Sequence, residues 1–307
     1  MSVRREMEPP RLEEVSPGIY AYIQPDGSWF LNNTGFLVGS QGVTVIDQCG
    51  TEHRARAFLD RVSATTERPI QTLINTHHHA DHTFGNFVMP PHTTMVAHRK
   101  ARDEVIATGI GIAAAFEGPD WGDIRVAPPF LCFDEELTLF VDDLEVRLIH
   151  FGLPAHTTND VVLHVPERRL LFTGDLAFKG GTPFALQGSV AGWIDTLGKL
   201  RRLDVDTIVP GHGPVCGTEV LEEAATYLHW LQETAEEGLG RGEEPLAWAR
   251  SLDLGDFAGL TDHERIVGNL HRAYSELRGA PLGTPLPIGP IIGEMRQYLG
   301  GPIVSHA

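Results

Sequence analysis

The chain has 307 residues, 42% of them apolar and 21% charged, which excludes a disordered polymer and is long enough to bury a substantial core. Its formal net charge of −17 works against nucleic acid and anionic lipid as partners, and the stretch MSVRREMEPPRLEEV lacks the apolar run of a secretion signal or membrane anchor, so a cytoplasmic location is expected. Cys49, Cys132 and Cys216 are odd in number, widely spaced and outside any C-x-x-C pair, which argues against a disulfide framework and against a thiolate zinc cluster.

In chain order, Gly18 to Ile23, Gly35 to Val38 and Val43 to Ile46 are short, β-branched or aromatic, and broken by Gly, Asn and Asp, as in the opening strands of a sheet. From Thr51 to Ala64 the apolar residues Ala55, Phe58, Leu59 and Val62 recur at helical spacing, and Ile70 to Asn75 returns to strand character. The alternation repeats with a strand at Thr94 to Val96, a helix near Arg99 to Thr108, and paired strands at Glu136 to Val141 and Leu144 to His150. Strands at Val161 to Val165 and Arg169 to Phe172, a helix from Ser189 to Leu203 and a strand at Thr207 to Val209 follow. Strands meeting helices in both halves predict an α/β fold, a four-layer α/β/β/α sandwich.

Beyond Pro214 the pattern is helical, over Glu219 to Glu237 and Asp262 to Leu277. The expected organisation is a sandwich domain over 1–240, a helical extension over 241–279 packed on it, and a Pro- and Gly-rich tail over 280–307 that wraps the surface or frays. Three short basic groups, Arg99-Lys100-Arg102, Arg168-Arg169 and Lys199-Arg201-Arg202, read as solvated faces or as docking spots for an acidic partner such as a carrier protein.

The segment Thr76-His77-His78-His79-Ala80-Asp81-His82 leaves a predicted strand and enters a turn, so its side chains can converge. Imidazole nitrogen suits Zn²⁺ and a carboxylate can serve a second ion. A solvated histidine tract would predict nothing downstream. Yet His156, Asp175 and His212 follow, each in a Gly-containing loop at the carboxyl end of an apolar strand, where separate loops can gather at one point.

H-x-H-x-D-H, a later G-x-x-H-T, then F-x-G-D and P-G-H-G together resemble the metallo-β-lactamase-fold hydrolases, in that family's order, from Thr76 to Gly213. The resemblance implies two zinc ions, with His77, His79 and His156 at one, Asp81, His82 and His212 at the other, and Asp175 bridging them as in the glyoxalase II-like branch. It leaves His78 and Ala80 at variable positions, and His150 and His164 as ordinary core or surface histidines. Thr157 and Thr173 are candidates to bond the free nitrogens of the ligand imidazoles.

Outside the ligand set, Asp120-Trp121-Gly122-Asp123, Ala127-Pro128-Pro129, Thr182 to Leu186 with Gly188 to Gly192, Asp256 to Leu260 and Asn269 to Ala273 resemble the zinc-dependent second-ring cyclases of aromatic type II polyketide pathways. That resemblance implies ring closure on a polyketide held by an acyl carrier protein, with hydrolysis of its thioester. Asp81 or a hydroxide would accept the proton, and Phe116, Trp121, Phe178, Phe184 and Trp193 are candidates to line an apolar pocket. A small-molecule thioesterase or lactonase of the glyoxalase II type acting on a free thioester would share every ligand, and iron would suit the same donors. A nuclease is disfavoured by the acidic balance, and a non-catalytic scaffold by the complete ligand set.

Overall fold

The computed structural model describes residues 8–307; the amino-terminal reading of the sequence therefore falls in part on residues 1–7, outside the described residues. Four antiparallel strands come first: β1 (Arg11–Ser16), β2 (Ile19–Ile23), β3 (Thr34–Val38) and β4 (Val43–Ile46). Helix α1 (Glu52–Thr65), capped by the Thr51 hydroxyl, crosses to β5 (Ile70–Ile74), which pairs parallel with β4. A one-turn helix α2 (Ala80–Thr83) follows, then β6 (Thr94–His98), α3 (Arg99–Thr108), the two-residue β7 (Phe116–Glu117) and β8 (Leu131–Phe133).

The second half begins with β9 (Glu136–Val141), β10 (Leu144–Ile149) and β11 (Val162–Val165), all antiparallel, and continues into β12 (Leu170–Phe178). Helix α4 (Val190–Leu200), capped by Ser189, carries the chain to β13 (Thr207–His212), parallel to β12. Helices α5 (Glu219–Gly240), α6 (Pro245–Ser251), α7 (Arg265–Leu277) and α8 (Ile288–Leu299) and the strand β14 (Ile303–Val304) complete it.

Among the described residues the strands form a seven-stranded sheet, ordered β1-β2-β3-β4-β5-β6-β8, and a five-stranded sheet, ordered β13-β12-β11-β10-β9. Side chains alternate across each strand, so Ile19, Ala21 and Ile23 of β2 face inward against Val146, Leu163 and Phe172 of the other sheet. The opposite face of the first sheet, with Phe36, Val43 and Val45, packs on Ala55, Phe58 and Val62 of α1. The outer face of the second sheet is covered by α4, α5 and α7, with Trp193, Leu228 and Leu270 fully buried. This is the predicted α/β/β/α layering with further helices at the carboxyl end. Among the described residues no helix is long and apolar enough to cross a membrane, and Cys49, Cys132 and Cys216 are free thiols.

Three expectations need correction. The tail does not fray: β14 pairs with β7, and Ile291, Met295 and Ile303 are buried in the same apolar cluster as α4 and α5. Its Pro and Gly content conceals an apolar spacing that is enough to seat α8. Second, α7 begins at Arg265 rather than Asp262, because Asp262 takes a left-handed φ of 55° that no α-helix accommodates. Third, β12 runs on through Asp175 to Phe178, with its pairing to β13 shifted at Gly174, so Asp175 stands on an irregular strand rather than in a loop beyond it.

Candidate metal centre

The seven predicted ligands converge from the segment after β5, the connection between β10 and β11, and the strands β12 and β13. His77, His79, His156 and Asp175 form one group and Asp81, His82, Asp175 and His212 a second, with the donor atoms of each group all within 4.8 Å of one another. Asp175 belongs to both. Its Oδ1 is 3.0 Å from His82 Nε2, and its Oδ2 is 3.4 Å from both His156 Nε2 and His212 Nε2. Asp81 Oδ2 is 3.2 Å from His212 Nε2.

The backbone is shaped to permit this approach. Gly174 adopts φ +50°, and a Cβ on it would stand 2.6 Å from Thr76 Oγ1. A Cβ on Gly211 would stand 2.0 Å from Asp175 Oδ1. The glycines of the G-D and G-H motifs therefore let two strands close on one point.

Each imidazole turns one nitrogen to the centre and uses the other on the protein. His82 Nδ1 donates to Asp47 Oδ2 at 2.9 Å, His156 Nδ1 to the Phe184 carbonyl at 2.6 Å and His212 Nδ1 to the Gly27 carbonyl at 3.0 Å. His77 Nδ1 lies 3.0 Å from Thr76 Oγ1, and His79 Nε2 donates to Gln187 Oε1 at 2.9 Å. Thr157 and Thr173 do not take part, contrary to expectation: the Thr157 hydroxyl donates to Asp160 and that of Thr173 to the Gly174 carbonyl. Asp47, Thr76, Gln187 and two carbonyls supply what those threonines were expected to supply, an arrangement typical of metal-binding histidines.

The donor set fits a metal ion. His77 Nε2 is buried with no hydrogen-bond partner, and His82 Nε2 and Asp175 Oδ1 are buried with nothing but each other, at 3.0 Å, a costly state for protein atoms alone. His79 Nδ1 and His156 Nε2 stand 2.8 Å apart although the other nitrogen of each ring already donates elsewhere, so two acceptors face each other and call for a cation between them. Burial drives His77 and His156 well below the usual imidazole range, keeping them neutral and free to ligate. Burial pulls on His212 in the same direction, but Asp175 and Asp81 outweigh it and hold that imidazole up at about 9, a measure of the negative charge gathered here.

The model for the metallo-β-lactamase superfamily matches residues 27–212. The chain belongs to this superfamily. Its members are mainly hydrolytic enzymes that typically bind zinc. The chain is 30% identical to a 2,4-dinitroanisole O-demethylase subunit alpha from Nocardioides sp. (strain JS1661), over 57% of this chain and 51% of that protein, so it spans about half the length of that relative. It is 30% identical to a hydroxyacylglutathione hydrolase from Rhodospirillum rubrum, over 68% of this chain and 69% of that one. A solved metallo-β-lactamase from Pontibacter korlensis superimposes with a TM-score of 0.59 at 17% identity, covering 72% of this chain and 99% of that chain, which speaks to the fold.

A cleft of about 880 Å³, part of it open to solvent, reaches this metallo-β-lactamase-type centre at His79 and Asp81. Phe116 and Phe184 line it, together with Trp29, Phe30, Phe84 and Ile292. Trp121, Trp193 and Phe178 do not line it. Trp193 is fully buried behind His156, its indole donating to the Leu176 carbonyl, because it lies on the inward face of α4. Trp121 packs edge-on against Phe30 from behind, and Phe178 stacks on His212 at 5.1 Å. His78 is buried at the cleft wall beside Asn159 and Gln187. His150 donates to the Asp160 carbonyl and His164 lies within β11, neither of them at the centre.

No comparable signal marks Trp29, Ile292 or Gln187, since an apolar or amide residue far from a motif looks like ordinary core. Five residues of the basic groups are engaged locally: Arg99 by Asp134, Arg168 by Glu167, Arg169 by Asp204 and Asp206, Lys199 by Asp195, and Arg201 by Glu222.

Proposed function

We propose that this chain is a dinuclear zinc enzyme that acts on an aromatic polyketide thioester held by an acyl carrier protein, closing its second ring by aldol condensation and dehydration and releasing the acid by hydrolysis. The observation that carries this reading is the aromatic, mostly apolar cleft that ends at Asp81 and His79. Such a lining favours flat apolar groups. Similarity to a hydroxyacylglutathione hydrolase supports an acyl thioester as the bond to be cleaved.

Zinc bound by His77, His79, His156, Asp81, His82, Asp175 and His212 would supply Lewis acidity toward a carbonyl oxygen and bring the pKa of water down toward ~7. The chain itself does the rest. Trp29, Phe116 and Phe184 hold the ring system against the cleft wall and keep bulk water off it. In ring closure, an Asp81 carboxylate oxygen takes the proton from the carbon between two carbonyls. That carbon bonds to a ketone carbon while the ketone oxygen takes up a proton to become a hydroxyl; the hydroxyl then leaves as water with the remaining hydrogen of the bonded carbon, forming a C=C bond. In hydrolysis a water oxygen bonds to the thioester carbon, the C–S bond breaks, and the thiol leaves with the proton.

A small-molecule thioesterase is the second reading, favoured by the same hydrolase relative. Glutathione carries two carboxylates, and Arg125 is the single Arg or Lys among the cleft-lining residues, so the lining suits an apolar acyl group better. Mass spectrometry of zinc-loaded and chelated protein, acting on a monocyclic polyketide pantetheine thioester and on an acylglutathione, separates the two. Water loss or acid release from the first, abolished by chelation and restored by zinc, is expected. Turnover of the acylglutathione alone would reject the polyketide reading.

A further inference from the structure

We infer that Gln187 has two tasks at this centre: it fixes the orientation of His79, and it donates a hydrogen bond to the substrate carbonyl. Gln187 lies between Leu186 and Gly188, just ahead of the Ser189 cap of α4, and it lines the cleft. Its Oε1 accepts from His79 Nε2 at 2.9 Å, which leaves His79 Nδ1 unprotonated toward the centre, 2.8 Å from His156 Nε2. Its Nε2 stands 3.2 Å from His78 Nε2. His78 is in turn held by Asn159, whose Oδ1 lies 3.3 Å from His78 Nδ1.

The bookkeeping of the amide decides the second task. A glutamine side chain has two N–H groups, and one is directed to His78 Nε2. With Oε1 given to His79, the remaining N–H belongs to the cleft. The flanking residues Phe184 and Leu186 offer no side-chain acceptor there, and Asp81 and His79 border the same space. A carbonyl oxygen entering beside the centre meets this donor, already oriented by two histidines, which is the arrangement that stabilises developing negative charge. Gln187 is thus a positioning residue toward His79 and a catalytic residue toward the substrate. This inference rests on the thioester reading for its substrate but not for its action on His79.

Two substitutions separate the tasks. Gln187→Glu keeps an acceptor for His79 and loses both N–H donors, whereas Gln187→Leu loses acceptor and donors alike. Zinc affinity, measured by competition with a fluorescent chelator, is expected to fall about 10- to 100-fold in the Leu variant and to stay near the parent value in the Glu variant. The probe for the donor is a ketone isostere of an aryl-acyl pantetheine thioester, with CH₂ in place of sulfur. Its affinity for zinc-loaded protein is expected to drop about tenfold in both variants. Parent-like zinc affinity in the Leu variant overturns the orienting role. Failure of the isostere to bind the parent, or equal binding by the parent and the Glu variant, overturns the donor role. Absence of thioester turnover by a parent that still binds zinc and isostere rejects the proposed activity while leaving both roles of Gln187 standing.

Discussion

Asp47 and His82 are joined by a buried hydrogen bond in which His82 Nδ1 donates to Asp47 Oδ2 at 2.9 Å, one of three that this carboxylate accepts. Asp47 also accepts from the Thr76 backbone N–H and from the Thr76 hydroxyl, each at 2.7 Å. It stands just after β4 in a left-handed conformation with φ 55°, so its side chain bridges the ends of β4 and β5 beneath the metal centre.

Asp47→Asn therefore replaces an acceptor with an amide whose N–H₂ must face at least one donor. We expect metal affinity to weaken about 10- to 100-fold, as for other partners of ligand imidazoles, with little change in cleft binding. Chelator competition on the purified variant measures it. Unchanged affinity would mean that His82 is held by packing alone.

The approach of β13 to β12 gives a second prediction. A Cβ at Gly211 would meet Asp175 Oδ1 at 2.0 Å and the Gly174 carbonyl carbon at 2.7 Å, and neither can retreat without moving the centre. Gly211→Ala should cost about 1–3 kcal/mol of stability and reduce bound metal per chain. Urea denaturation and elemental analysis of the same preparation test both. Full metal occupancy at parent stability would refute the packing argument.

These two positions also mark the limit of sequence reading. The ligands His77, His79, Asp81 and His82 are legible because they lie within one short segment, and the downstream motifs announce themselves by Gly next to His or Asp. Asp47 sits 35 residues before His82, in a run that reads as the end of a strand, so only the pairing of β4 with β5 brings it there. The aromatic wall is harder still. Trp193 and Trp29 are equally plausible by composition, and what separates them is their surroundings: Trp193 is enclosed on the inward face of α4 behind His156, whereas Trp29 packs on Phe116 and Phe184 at the cleft. The tail is unreadable for a different reason, since β14 is ordered by pairing with the distant Phe116–Glu117 and α8 by packing on α6 and α7, neither of which a local pattern announces.

His98 makes stability depend on pH away from the metal ligands. Its Nε2 donates to the Asp134 carbonyl and its Nδ1 accepts from the Lys100 N–H, capping α3. Burial, with the tilted His150 ring 4.2 Å away, pushes its pKa down to about 4 from 6.5. The unfolded chain then binds a proton that the folded chain refuses as pH falls from 6.5 toward 4, so stability is lost on acidification across that window and is fully present above it. With allowance for screening, the loss is about 2 kcal/mol. His98→Asn keeps a capping side chain and removes the titration. The difference in urea midpoint between parent and variant should narrow or reverse between pH 6.5 and pH 4, and a constant difference would exclude His98 as the source.

The carboxyl-terminal tail should behave as part of the cleft wall rather than as an appendage. Ser305 donates from its hydroxyl to the Trp29 carbonyl at 2.7 Å and from its backbone N–H to the Glu117 carbonyl at 2.9 Å, while Ile288 and Ile292 of the same segment line the cleft. Ile303 is fully buried between these anchors. Ile303→Ala removes an apolar side chain from a packed site and is expected to cost about 2–4 kcal/mol. A loosened β14 releases the strand Phe116–Glu117 and the Trp29 backbone together, and both Phe116 and Trp29 line the cleft. The distinguishing result is therefore a pair of measurements on one variant: affinity for an aryl ketone probe falls several-fold while zinc affinity stays at the parent value, because the tail's hydrogen bonds run to Trp29, Arg54, Ala115, Glu117, Arg250 and His271 rather than to the seven ligand residues. Loss of zinc along with the probe would mean that the tail supports the whole domain, and retention of both would mean that it supports neither.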